Sequence, residues 1–386
     1  RRPHDLAAGL EARGHQVEVL SRSQAGIGRV KLLFPLTVAF RLVRHLHRFR
    51  PHVVQVHESD GALAALVTTT LRAVLDPRPA IVGLLQVSYT EEWRAVRALR
   101  HEGRLLGRPG GRELAFKWLK APLLMVLGYL TAFLSDVVMA PSRRTAAELE
   151  RDYRIGSVEV LPNVMGGREV EASTDPADGA DGCFLYVGRL RIRKAVEVLL
   201  ESMSRLPADA PRLLIVGDGE HLERLERHAQ RFGLASRVAF LGRRSPGQVR
   251  DLMRRALALV VPAIYEGMPL VIVEALERSL PVVATAVSGI PEVVQDGVTG
   301  WLVPAEDPGA LAAALREAAA DPEAAAARGE AGRGVVLERY SVDRAAERWL
   351  RIIAESGSRV GPQSGPAPRP GHDDGGSAAG TEGSER

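Results

Sequence analysis

Apolar positions along this chain fall into two alternating patterns. Short apolar or β-branched runs read as buried strands, and longer stretches with an apolar residue every third or fourth position read as amphipathic helices. In the first half the strand runs are Val17–Leu20, Val53–Val56, Ala80–Leu85, Val137–Met139 and Val158–Leu161. In the second they are Cys183–Val187, Arg212–Val216, Val238–Leu241, Ala258–Val261, Pro281–Ala284 and Trp301–Val303. Helical stretches separate them almost throughout. That alternation predicts an α/β chain of parallel sheets wrapped by helices. The run Glu169–Asp181, made mostly of Asp, Ala, Gly, Ser, Thr and Pro, reads as a linker. The expected organisation is therefore a first domain over 1–168, a linker over 169–181 and a second domain over 182–340. A helix over 341–355 follows, and then a tail over 356–386 too rich in Gly, Pro and Ser to offset the entropy of ordering. Ligands of open parallel sheets bind beyond the carboxyl ends of the strands, so the cleft between the two domains is the expected site.

Composition narrows this picture. At 386 residues, with 46% apolar and 25% charged residues, the chain is that of an ordinary globular protein of two domains. Its one cysteine, Cys183, excludes an internal disulfide framework and falls in a predicted strand, where an inert core thiol is expected. Charge is uneven: residues 1–160 hold 24 Lys/Arg against 15 Asp/Glu, and residues 161–386 hold 27 against 32. A basic first half suits an anionic partner such as a membrane surface, and equally a solvated basic face. Nucleic acid is disfavoured, because no recognition module or aromatic stacking set accompanies the charge. Lys31–Arg50 mixes apolar residues with Arg41, Arg44, Arg48 and Arg50; it suits an amphipathic helix lying on a membrane or one packed on the first sheet. The longest uncharged run, Ala121–Ser135, is fifteen residues. A bilayer span needs about 20, so this run reads as a buried or interface-facing helix. A cytoplasmic protein with a peripheral contact to the inner membrane face is the expectation.

The chemistry concentrates in Pro262–Ala275, where Glu266 and Glu274 stand either side of a Gly267-Met268-Pro269 turn and the start of an apolar helix expected over Leu270–Leu280. Proline suits the first position of a helix, and the free N–H groups of that end favour an anion. Ionised carboxylates accept hydrogen bonds from paired sugar hydroxyls. A ligand carrying an anionic group together with hydroxyls, such as a nucleotide sugar, fits both features. Upstream, Arg189 and Lys194 follow a predicted strand through Gly188, whose missing side chain permits a close turn. A guanidinium and an ammonium there can neutralise a diphosphate, although two surface cations on a helix start is the plainer alternative.

These residues resemble glycosyltransferase family 4, the retaining enzymes of the GT-B fold. Glu266-Gly-Met-Pro-Leu-Val-Ile-Val-Glu-Ala275 is similar to the family's E-G-x-P-x-x-x-x-E-A, and Gly188-Arg-Leu-Arg-Ile-Arg-Lys194 to its G-R-L-x-x-x-K. Leu214-Ile-Val-Gly-Asp-Gly-Glu220, Ser288-Gly-Ile-Pro-Glu292 and Asp296-Gly-Val-Thr-Gly300 resemble its I-V-G-x-G, G-G-x-P-E and D-G-x-x-G elements, in the same order. The resemblance runs from about residue 4 to about 355 and implies two Rossmann-like domains, the final helix returning to the first. It implies transfer of a sugar from a UDP- or GDP-sugar to a glycan or lipid-linked acceptor with retention of configuration. Arg189 and Lys194 would hold the diphosphate, Glu266 would meet the donor sugar, and Glu274 the ribose hydroxyls. Gly217, Asp218 and Gly219, with Leu241, Gly242 and Arg243, would line the nucleotide pocket. No cofactor and no metal are expected, since the two cations and the helix at Leu270 supply the charge and no Asp-x-Asp ends a predicted strand.

The chain also departs from the pattern. The family's first strand and Gly-Gly loop have no counterpart before His4, so the chain reads as shortened at its start, with poor stability or activity expected. Ala195 stands where the family has Gly. A histidine that ends a first-domain strand in the family is replaced by Gln86-Val-Ser-Tyr89, so Gln86 or Ser88 would substitute, with His57 and Tyr89 as further acceptor-side candidates. Glu91, Glu92 and Trp93 extend that loop. Two alternatives remain: a nucleotide-sugar-binding module without turnover, and a GT-B nucleotide-sugar epimerase. A dinucleotide oxidoreductase is disfavoured, because Gly217-Asp-Gly219 lacks the third glycine of G-x-G-x-x-G.

Overall fold

A computed structural model describes residues 2–20, 34–98, 118, 120–164 and 181–357. The expected tail from 356 lies outside these residues but for 356 and 357, as do nearly all of the expected linker and the first part of Lys31–Arg50.

The first sheet is parallel throughout. Helix α1 (Arg2–Glu11) and helix α2 (Phe34–Phe49) precede strand β1 (Val53–His57). There follow α3 (Ala62–Leu71), β2 (Ala80–Leu84), α4 (Tyr89–Ala98), α5 (Ala121–Phe133), β3 (Val137–Ala140), α6 (Arg143–Tyr153) and β4 (Glu159–Val160). The strands lie in the order β1-β2-β3-β4, each beside its successor in the chain. Right-handed crossovers then place α3, α5 and α6 on one face of the sheet. Alternate residues serve the two faces. Ile81, Leu85, Val138 and Ala140 face these helices, while Val82, Leu84, Val137 and Met139 meet Leu6 and Leu10 of α1 on the other side. Gly83 is needed for this packing: a Cβ there would stand 2.6 Å from the Ser135 hydroxyl, just beyond the end of α5.

Val17–Leu20, expected as a strand, forms none. A strand needs a neighbour for its N–H and C=O groups, and among the described residues nothing pairs with it. Val17 and Leu20 instead pack on apolar clusters of the first domain, and Glu18 meets His45 of α2 at 3.0 Å.

The second sheet is built from β5 (Phe184–Val187), α7 (Val196–Ser204), β6 (Leu213–Val216), α8 (Leu222–Arg231), β7 (Val238–Gly242), α9 (Pro246–Arg255), β8 (Ala258–Val261), α10 (Leu270–Leu276), β9 (Val282–Thr285) and β10 (Gly300–Val303). Its order is β10-β9-β8-β5-β6-β7, again all parallel. The chain runs outward from β5 to β7, then returns to β8 on the other side of β5 and runs outward to β10. Right-handed connections therefore put α7 and α10 on opposite faces, as their separate apolar clusters show. The point where the direction reverses, between β5 and β8, opens a crevice at the strand ends.

Three further helices follow: α11 (Pro308–Ala320), α12 (Pro322–Arg339) and α13 (Val342–Gly357). The last returns to the first domain, as the resemblance implied. Its Ala345, Ala346 and Ile352 join the cluster of Leu6, Leu10, Val82 and Met139. Arg13 bonds Asp343 at 2.9 Å, and the Trp349 indole donates to Gln55 at 2.7 Å.

Replacing Gly83 with alanine should cost about 1–3 kcal/mol. The new methyl displaces Ser135, whose hydroxyl donates to the Thr131 carbonyl at 2.6 Å. Urea unfolding of Gly83→Ala against the parent chain measures it.

Candidate active site

Both loops bordering the crevice between β5 and β8 carry predicted site residues. From β5 the chain passes Gly188, exposed Arg189 and buried Leu190 into a 3-10 turn, Ile192–Lys194, that leads into α7. From β8 it passes Tyr265, Glu266, Gly267 and Met268 into α10. Lys194 Nζ and Glu266 Oε1 form an ion pair across the crevice. Glu266 is 7% exposed, so the cation beside it offsets what would otherwise be a costly buried charge. This joins a predicted leaving-group cation to the predicted sugar-facing carboxylate. No spacing in the sequence announced it, because the contact exists only where the sheet reverses direction.

The turns are packed backbone to backbone. A Cβ on Gly217, whose φ is +144°, would stand 1.8 Å from the Gly188 carbonyl, and one on Gly219 would stand 2.2 Å from that of Leu190. The Leu190 amide donates to Asp218 at 2.9 Å, and the Gly217 amide to Gly242 at 2.9 Å. Gly188, Gly217, Asp218, Gly219 and Gly242 are thus one continuous rim, with Leu241 half-buried beneath it and exposed Arg243 reaching Asp218 at 3.8 Å. Ala195, where the family has Gly, takes φ +47°, and Ser288, where it also has Gly, takes φ +48°. Both are left-handed positions that glycine occupies without strain. Ser288 gains a contact in return: its hydroxyl accepts the Glu266 amide at 3.3 Å.

Helix α10 starts at Leu270 as expected, with Pro269 at the N-cap, but it ends at Leu276 instead of Leu280. Its end is set by Ser279 at φ +57°, after which the Leu280 amide returns to the Ala275 carbonyl at 3.0 Å. Glu274 is half-buried on this helix. Its neighbour Arg278 bonds the Glu277 carboxylate and the Glu274 backbone carbonyl.

The first domain presses directly on these loops. A Cβ on Gly267 would stand 2.0 Å from the Gln86 carbonyl. Asn163, at the end of the first sheet, donates to the Met268 carbonyl at 2.9 Å. The Ser88 amide donates to the Tyr265 hydroxyl at 2.9 Å, and that hydroxyl lies 3.2 Å from both the Ser88 carbonyl and the Glu148 carboxylate. Glu292 of the Ser288–Glu292 element accepts the Arg143 and Arg144 amides at 3.0 Å each, capping α6 from across the domain boundary. Tyr265, Asn163 and Glu148 escaped the sequence reading; only the placement of Tyr265 beside Glu266, and of Asn163 after a predicted strand, hinted at them.

The acceptor-side candidates separate into two pairs. His57 and Gln86 line a small pocket with Pro162, Asn163 and, from α13, Ala345. Ser88 is fully buried and donates to Asp152 at 2.7 Å, and the Tyr89 hydroxyl donates to Glu58 at 3.1 Å and accepts from Ser59 at 3.3 Å. These two side chains hold the first domain together and leave no polar atom for a sugar. The expected loop is instead the start of α4, where Glu91 pairs with Arg94 and Arg151, and Glu92 meets Arg193 at 3.5 Å. Glu58 itself sits at φ +56°, ψ −168°, a conformation that L-residues seldom adopt.

Burial at the domain boundary shifts several groups. It pushes the Tyr265 phenol up, reinforced by Glu148. It also raises the Glu148 carboxyl, against the hydrogen bond from Arg144. Asp152 goes the other way: burial opposes ionisation, but bonds from Arg151, Ser88 and Arg94 outweigh it and hold the carboxyl low. For Glu148 the folded chain keeps a proton that the unfolded chain has already lost. Its contribution to stability is therefore full at low pH and declines as pH rises from the ordinary carboxylate range through the raised value. The stability of Glu148→Gln relative to the parent should accordingly increase over that window, as measured by urea unfolding across a pH series.

Two family models match the chain, "Glycosyltransferase Family 4" over residues 1–165 and "Glycosyl transferases group 1" over residues 169–354. A D-inositol 3-phosphate glycosyltransferase of Streptomyces coelicolor is 37% identical over 372 residues, which cover 85% of this chain and 80% of the relative. One from Streptomyces bingchenggensis is 28% identical, covering 91% and 83%. Among solved structures, sucrose-phosphate synthase from Thermosynechococcus elongatus superposes with a TM-score of 0.72 at 23% identity, covering 92% of this chain and 93% of that one. Anabaena HepE in complex with UDP-glucose gives 0.63 at 19% identity, covering 90% and 88%. Its sequence kinship along most of both chains and its paired parallel sheets make this protein a member of glycosyltransferase family 4, a glycosyltransferase of the GT-B fold.

Proposed function

We propose that the chain transfers a hexose from a UDP- or GDP-sugar to a glycan or lipid-linked acceptor, with retention of configuration at the anomeric carbon. The observation that carries this reading is the Lys194–Glu266 pair at the sheet's reversal point, flanked by the glycine rim. A nucleoside diphosphate sugar presents the matching sequence of groups. Its diphosphate needs cations, and Arg189 and Lys194 stand on the same loop after β5. Its sugar hydroxyls need acceptors, and Glu266 lies beside Lys194. Its ribose hydroxyls need another carboxylate, and Glu274 stands on α10, about one turn beyond its start. The Gly217–Gly219 turn and the Leu241–Arg243 strand end would border the nucleotide.

In this mechanism the protein acts mainly through electrostatics. Arg189 and Lys194 stabilise charge as it builds on the departing diphosphate, and the narrow crevice holds the acceptor on the face the leaving group vacates. Glu266 fixes the sugar by its hydroxyls, while its bond to Lys194 links sugar position to phosphate position. The two cations carry the leaving-group charge without a metal. His57 and Gln86, which line the pocket beside the cleft, would be the acceptor-side groups.

The reading is tested by thermal shift with UDP, GDP, ADP and NAD. A nucleotide at about 100 times its dissociation constant adds about 2.7 kcal/mol of stability. UDP or GDP should stabilise the chain, and Arg189→Ala should abolish the effect without lowering the unliganded midpoint. Once a donor sugar is found, Arg189→Ala and Lys194→Ala should each lower kcat/KM by about 10²–10³-fold, and the proton coupling of the product's anomeric centre should match that of the donor. Stabilisation by NAD alone, or by no nucleotide, overturns the donor assignment; an inverted product overturns retention.

A further inference from the structure

One face of the first domain is apolar where solvent should require it to be polar. Among the described residues, eleven of the thirteen large apolar side chains left exposed lie between Phe40 and Phe133. Nine of these lie on α2, α3 and α5. These helices share one face of the sheet, and α3 packs against both of the others. On α5 every exposed position is apolar or aromatic: Pro122, Leu123, Val126, Tyr129, Leu130 and Phe133. An ordinary surface helix carries charges there. On α3 the outward residues are Leu66, Thr69 and Thr70, and both threonine hydroxyls are already spent on the helix's own carbonyls, Thr69 to Ala65 and Thr70 to Val67, at 2.9 Å each. Neither threonine hydroxyl therefore needs an acceptor from outside.

Charge says what kind of surface covers it. Helices α2, α3 and α5 contain no Asp or Glu at all. Their edges carry cations: Arg41, Arg44 and Arg48 on α2, with Phe40 83% exposed among them, and Lys120 immediately before α5, next to Trp118 at 67% exposure. Leu42 and Leu46 of α2 are buried against the sheet, so this helix is a wall of the domain and presents only its basic, aromatic side outward. An apolar centre on helices without acids, rimmed by Arg and Lys, matches the interface of a bilayer with anionic headgroups: acyl chains meet the apolar centre and phosphates meet the rim. A second copy of this chain would bring its own cations against these. No described helix is long and apolar enough to cross a membrane, so the contact lies in the plane of the interface.

We propose that the α2-α3-α5 face docks this glycosyltransferase onto an anionic membrane surface. The same face adjoins the cleft. Gly128 of α5 packs on Tyr153 and Tyr89, and α4 bridges from α5 to the turn that carries Lys194. Docking therefore brings the cleft mouth to the headgroup layer, where a lipid-linked acceptor would present its sugar. That last step alone rests on the function proposed above.

The test is sedimentation of the full chain with vesicles of phosphatidylcholine alone and of phosphatidylcholine mixed with phosphatidylglycerol. The chain should bind the mixed vesicles and not the neutral ones. Leu123→Glu with Val126→Glu should weaken that binding about tenfold or more, as should Arg41→Ala with Arg44→Ala. Leu337→Glu, an exposed apolar site on α12, serves as the control and should change nothing. Thermal shift with nucleotide on each variant keeps the two readings apart, because docking variants should retain the response of the parent chain. Equal sedimentation of parent and face variants with mixed vesicles overturns the proposal. So does a lipid-free dimer that the Leu123 and Val126 changes dissociate, since the face would then belong to a second copy.

Discussion

The approach of Gly267 to the Gln86 carbonyl governs the geometry of the whole cleft. At this point the backbone of the second domain lies against the backbone of the first with no room for a side chain. The neighbouring contacts follow from it. The Gly289 amide reaches the Gly267 carbonyl at 2.9 Å, Asn163 reaches Met268, and Tyr265 enters the first domain to meet Ser88 and Glu148. Glu266 lies between two of these anchored residues, so its position is settled from both sides. A larger residue at 267 would separate the sheets and move Glu266 relative to every group in the first domain.

The polar network at that boundary has a second consequence. Glu148, Tyr265 and Ser88 are buried together, and the ionisation of Glu148 and Tyr265 depends on the burial that the contact between the domains provides. Buried polar groups are tolerable only while their hydrogen bonds are complete. Opening the cleft would expose the Tyr265 hydroxyl and the Ser88 backbone to water, which rehydrates them and lowers the cost of opening. A boundary of this kind resists misalignment more than it resists opening, which suits a cleft that must admit substrate and then align it. The return of α13 to the first domain, through Arg13, Gln55 and an apolar cluster, gives the two domains a second link.

Much of the fold was legible in the sequence because burial on both faces leaves a direct mark. Phe184–Val187, Leu213–Val216 and Ala258–Val261 are short apolar runs, and such runs have few ways to fold other than as central parallel strands. Val17–Leu20, apolar but for Glu18, has no ladder among the described residues, since a strand is a property of two segments and composition describes one. The linear motifs placed Gly188, Lys194, Glu266 and Glu274 on the correct loops and helices, because a turn that requires glycine or proline declares itself locally. Ser88 and Tyr89 were legible as polar residues after a strand, but which way their side chains turn depends on Asp152 and Glu58, distant in sequence.

The sequence by itself determined the α/β alternation, the family and the identity of the charged groups after β5 and β8, since each depends on residues close together in the chain. Tertiary structure alone decided that Lys194 meets Glu266, that Glu292 caps a helix of the other domain, and that the uncharged run after Lys120 turns one side to solvent. Each of these joins surfaces brought together by sheet order and crossover hand, and neither is written in any one segment. The physical reason is that local propensity acts over a few residues, whereas ion pairs, caps and exposed faces are set by where whole sheets come to rest.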